Sequence, residues 1–95
     1  MKSSTNLSKA AINALQLDEA VTIYSELLSQ GYSLFINKKE YADIVSCSTS
    51  SVDNFIRKGY GCPDYKKLGH AKNAKVLFSL IDVANYLAGT TIKTA

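Results

Sequence analysis

NKKEYADIVSCSTSSVDNFIRK, residues 37–58, is the stretch whose reading decides the fold. Two short helical patterns flank a turn at Ser46, Cys47 and Ser48. Asn37 and Glu40 stand three residues apart, the capping-box spacing in which each side chain satisfies the other's free backbone N–H. Tyr41, Ile44 and Val45 then give the first helix one apolar face. Ser48 is a good N-cap for a second helix, expected over residues 49–58 and closed by Gly59. On that helix Val52, Phe55 and Ile56 share a face and should pack inward. A rotation of about 100° per residue puts Ser50, Asn54, Arg57 and Lys58 opposite, with Asp53 at the margin. The outward face is thus polar and carries two cations, unlike a helix buried on all sides.

Toward the N-terminus, residues 33–36 form a short apolar run suited to a strand. Residues 6–30 read as helix, because Leu7, Ala10, Ala14, Leu17, Val21, Tyr24 and Leu28 follow alternating three- and four-residue steps. Gly31 is placed to end it in the left-handed conformation. Unbroken, it would be about 37 Å long at 1.5 Å per residue, longer than such a domain needs. Either it breaks near residues 15–18, or its first half reaches a partner. Residues 17–28 are expected to pack on the domain, with dimerisation through residues 7–17 as the alternative.

Toward the C-terminus, GYGCPD at residues 59–64 is rich in turn formers. Residues 65–68 and 75–78 are strand candidates, and residues 69–74 between them would form a hairpin tip. Ser79 then caps a last helix, with Asp82 near its positive end. Ile81, Val83, Ala84 and Leu87 supply apolar surface and Gly89 ends the helix. The tail TTIKTA should fray.

Ninety-five residues make one domain, and 46% apolar with 20% charged residues is ordinary for a soluble globular chain. No apolar run approaches the roughly 20 residues of a membrane span, and the first residues have no uninterrupted apolar stretch for export. A cytoplasmic protein is therefore expected. Cys47 and Cys62 are too far apart for a CxxC site and His70 is the only histidine, so neither metal nor cofactor is expected. Reduced thiols fit a leaderless chain better than a disulfide. No nucleophile elbow or other catalytic arrangement appears, and no enzyme is expected.

The net charge of +3 is mild, but its distribution is uneven. Residues 1–36 hold Lys2 and Lys9 against Asp18, Glu19 and Glu26, a net of −1. Residues 57–75 hold Arg57, Lys58, Lys66, Lys67, Lys72 and Lys75 against Asp64, a net of +5. A cationic block beside an outward polar helix is what phosphate binding requires.

In order along the chain, these features resemble the AlpA and excisionase branch of the MerR-like winged-helix domains. The resemblance spans residues 34–88. A Glu and an Ala two residues on open the motif's first helix in that family, matching Glu40 and Ala42. The capping serine matches Ser48 and the buried aliphatic Val52. The loop proline matches Pro63, the Lys-Leu-Gly of the wing matches Lys67, Leu68 and Gly69, and the aromatic before the last helix matches Phe78. Two positions depart from it. Ser46 stands where the family has a turn glycine, and Thr49 where it often has an arginine, which removes a phosphate or guanine contact.

The resemblance implies a mainly α fold with a small β-hairpin wing, a winged helix-turn-helix preceded by an extra N-terminal helix. The expected organisation is an arm over residues 1–31, a DNA-binding domain over 32–89 and a tail over 90–95. It implies a small transcriptional regulator or an excisionase-like directionality factor of a prophage or mobile element, with RNA polymerase or an integrase as partner. Assembly on DNA would be as a homodimer or cooperatively. An accessory protein-interaction module, such as a terminase small subunit or a replication factor, is the alternative. Thr49, Ser50, Ser51, Asn54 and Arg57 are the candidates for reading bases, since Asn pairs with adenine and Arg with guanine through two hydrogen bonds. Lys38, Lys58, Lys66, Lys67 and Lys75 are candidates for phosphates, and His70, Lys72 and Asn73 for wing contacts with backbone or minor groove.

Overall fold

The computed structural model of the chain describes residues 14–15, 18–69 and 74–90. Its elements are α1 (Asp18–Ser29), β1 (Phe35–Ile36), α2 (Lys38–Val45), α3 (Thr49–Lys58), β2 (Lys66–Leu68), β3 (Lys75–Ser79) and α4 (Leu80–Gly89). The described residues are thus mainly helical with one small antiparallel sheet.

Local capping sets the helix pair. Asn37 is extended, its side-chain oxygen accepts the Glu40 N–H at 2.8 Å, and its own N–H donates to Glu40 Oε1 at 3.0 Å. The expected capping box is therefore present. At the other end Ser46 adopts the left-handed conformation (φ 59°, ψ 49°). The Cys47 N–H donates to the Ala42 carbonyl at 2.9 Å and the Ser46 N–H to Asp43 at 3.3 Å, the bond pair of a Schellman motif. A serine in that conformation costs about 1 kcal/mol, offset by the two carbonyls it satisfies. Ser48 Oγ accepts the Ser51 N–H at 3.1 Å to start α3, and Gly59 (φ 82°) ends it.

The sheet runs β1-β3-β2, with β3 paired antiparallel on both sides. Ile36 lies opposite Phe78, and both are fully buried. On the other side Lys66, Lys67 and Leu68 face Leu77, Val76 and Lys75. The core gathers there: the Tyr41 and Phe78 rings lie 4.8 Å apart, with Val52, Leu80 and Val83 closed around them. Tyr65 meets Phe78 edge-on at 6.1 Å.

The expected break in the N-terminal helix is found, since Ala14 is helical, Leu15 is not, and α1 begins at Asp18. Its helix packs on α4, as expected for residues 17–28. The expected seam needs correction. Ala20, Tyr24 and Leu27 are the buried face, Val21 and Leu28 are only half-buried, and Ala14 is exposed. Leu15 is buried instead, while Leu7, Ala10 and Leu17 lie outside the described residues. The face was chosen by α4, whose small Ala84 and Ala88 are themselves buried.

Two details of α4 also differ from expectation. Ser79 precedes the helix but makes no side-chain cap bond, because its residue is the last of β3 and pairs with Phe35. Gly89 is the final helical residue rather than the terminator, and Thr90 is the cap. Phe55, expected in the core, is half-buried and lies over Gly61, where a Cβ would come within 2.6 Å of its ring. No helix among the described residues is long and apolar enough to cross a membrane.

Candidate nucleic-acid interface

The outward face of α3 follows from its caps and its buried stripe. Val52 is fully buried and Ile56 packs on the core, so the helix can turn only one way. Thr49, Ser50, Asn54, Arg57 and Lys58 are exposed as expected, and so is Asp53. Arg57 Nη2 donates to Asn54 Oδ1, joining the two strongest base-reading candidates into one unit across a helical turn. Ser51 differs: it is half-buried, and its hydroxyl lies 3.1 Å from Ser48 Oγ. It serves the cap rather than the outer face.

Lys38, a candidate phosphate contact, is paired within the chain. Its Nζ donates to Asp53 Oδ1 at 2.7 Å, tying the first residue of α2 to the flank of α3. The pair lines a cleft of about 260 Å³ between α3 and the β2–β3 hairpin, together with Ile56, Tyr65, Lys67 and Val76. The sequence held no local sign of this contact, because fifteen residues separate its two ends.

The hairpin lysines do not act as one set. Successive strand residues point to opposite faces, and directly paired residues share a face. Lys67 therefore lies with its partner Val76 on the α3 side, at the cleft. Lys66 lies with Leu68 and its partner Lys75 on the other side, all three exposed. Counting charge by block merged what alternation separates, and the alternation was legible in the sequence. His70, Lys72 and Asn73 lie outside the described residues.

Elsewhere the chemistry is structural. Burial pushes the Cys62 thiol up, with the Asp64 carboxylate adding to the effect. That is the opposite of what an activated nucleophile needs. Cys47 is half-buried against the core, as a small hydrophobe should be. No group of three or more metal-ligating side chains occurs among the described residues.

No protein-family model, curated protein or solved structure matches the chain.

Proposed function

We propose that the chain is a winged helix-turn-helix protein that binds duplex DNA at specific sequences. In this reading it is a small transcriptional regulator or an excisionase-like directionality factor of a prophage or mobile element. Helix α3 enters the major groove, where Asn54 and Arg57 meet base edges with Thr49 and Ser50 beside them. The β2–β3 hairpin is the wing, with Lys67 on the phosphate strand nearest α3. Lys58, at the end of α3, meets the backbone from the other side.

The observation that carries the reading is the placement of Lys67 across one cleft from Asp53 and Ile56, on the flank of α3 beside its exposed polar residues Asn54 and Arg57. A recognition element and a phosphate anchor must lie side by side to fix register and read sequence together.

Equilibrium titration of duplex DNA tests the proposal. Arg57→Ala should lose about 1–3 kcal/mol of preference for a selected site over random duplex. Lys67→Ala should weaken all duplexes alike and lower the salt slope by about 1. Lys66→Ala and Lys75→Ala, on the far face, should do less. Should neither Arg57 nor Lys67 matter to binding at low salt, the proposal fails.

A further inference from the structure

An acidic side chain stands at the margin of this otherwise polar and cationic face, where α3 borders the cleft. Asp53 lies between the buried Val52 and the exposed Asn54, half exposed (52%), with its carboxylate held by Lys38 across the cleft from Lys67. A surface built only to attract phosphate would do better with a neutral residue here and with Lys38 free. Instead the two charges are matched at 2.7 Å, and the carboxylate of α3 is held by a lysine of α2.

We propose that Asp53 is a specificity-determining residue of this surface, with Lys38 as its positioning partner. Its carboxylate accepts a hydrogen bond from an exocyclic amino group in the major groove. The inference rests on the DNA-binding reading above. An ionised carboxylate can only accept. In the major groove the donors are the cytosine N4 and adenine N6 amino groups, while guanine N7 and O6, adenine N7 and thymine O4 accept. Inverting one base pair exchanges the amino group for an acceptor and sets lone pair against lone pair. Lys38 offsets the charge that would otherwise oppose the neighbouring phosphates, so Asp53 discriminates without a general loss of attraction.

The test uses the full chain, a site selected from random duplexes, and copies of it with each base pair inverted in turn. Thermal melting of each variant confirms that these exposed substitutions leave the fold intact. Asp53→Ala, lacking both charge and acceptor, should lose a roughly tenfold preference at one base pair. Asp53→Asn, lacking only the charge, should bind random duplex several-fold tighter yet keep part of that preference. Exchanging cytosine for adenine at that position identifies which amino group is read. Lys38→Gln should reduce the preference at that base pair while Asp53 is present, and should leave base-pair preferences unchanged when Asp53 is also alanine.

If the Ala and Asn variants behave alike at every base pair, Asp53 is only a charge and the inference falls while DNA binding stands. A Lys38→Gln variant that keeps the full preference at that base pair shows that Lys38 does not position Asp53 and likewise overturns it. A wild-type chain that binds no duplex at low salt removes both readings together.

Discussion

Tyr41 fills the space between α2, β3 and the loop at residues 59–64. Its ring packs on Phe78 at 4.8 Å, and its hydroxyl donates to the Gly61 carbonyl at 3.3 Å. Gly61 has to be glycine there, with φ at 94° and the Phe55 ring against it. Burial, with smaller contributions from Tyr86, Cys62 and Cys47, raises the phenol well above its ordinary value of 10.0. The unfolded chain therefore loses this proton more readily than the folded one. Its contribution to stability is complete below pH 10 and falls as pH rises beyond, toward the folded value. Denaturant midpoints measured from pH 9 to 11 should show that decline, and Tyr41→Phe should flatten it. The inward placement of Tyr41 was legible from the helical spacing of Tyr41, Ile44 and Val45. Its bond to Gly61 was not, because no local pattern relates residues twenty apart.

The caps around residues 46–48 act at the scale of the element. They hold α2 and α3 at a fixed angle, and they oppose one another in sign. Ser46 is strained by its left-handed backbone, whereas Ser48 is favoured by its bond to the Ser51 N–H. Ser48→Ala should lower stability by about 1 kcal/mol, and Ser46→Gly should raise it by about 0.5–1 kcal/mol. Chemical denaturation of the two variants checks both signs two residues apart. This region was read almost to the residue from sequence, since caps and Schellman turns are set by neighbours. The same locality explains the strands: β2 and β3 fall within a residue of their expected limits. What failed were faces and pairings decided from a distance. The α1 face was set by α4, and Lys38 was drawn to Asp53 by the way α2 and α3 meet.

At the scale of the whole molecule, contacts run from α1 to α4, from α4 to β3, from β3 to α2, and from α2 to α3. Helices α1 and α3 stand at the two ends of that sequence. Leu27 is buried (6% exposed) on the face of α1 that packs against α4. Leu27→Ala should cost about 2–5 kcal/mol and lower the melting midpoint by roughly 10 °C or more. Under the proposed DNA-binding function, the folded fraction well below that midpoint should bind duplex with the affinity of the unsubstituted chain. A loss of affinity in the folded variant would show that α1 shapes the α3 surface. The division into arm and domain read from sequence thus becomes a question of energetic coupling, measurable from one end of the molecule to the other.

The sheet has two outer strands, β1 with two residues and β2 with three, and β2 is mostly lysine. An unpaired strand edge is a template on which another chain can add, and short, charged edges discourage it. Lys66 and Lys67 point to opposite faces, so a strand approaching β2 meets a cation above and below the plane. Such an edge disfavours edge-to-edge addition of a second copy. The protection of this edge and the proposed phosphate contact would then rest on the same short run of residues. Replacing both lysines with apolar side chains should expose the molecule to its own copies and, if the proposed DNA binding holds, weaken that binding as well.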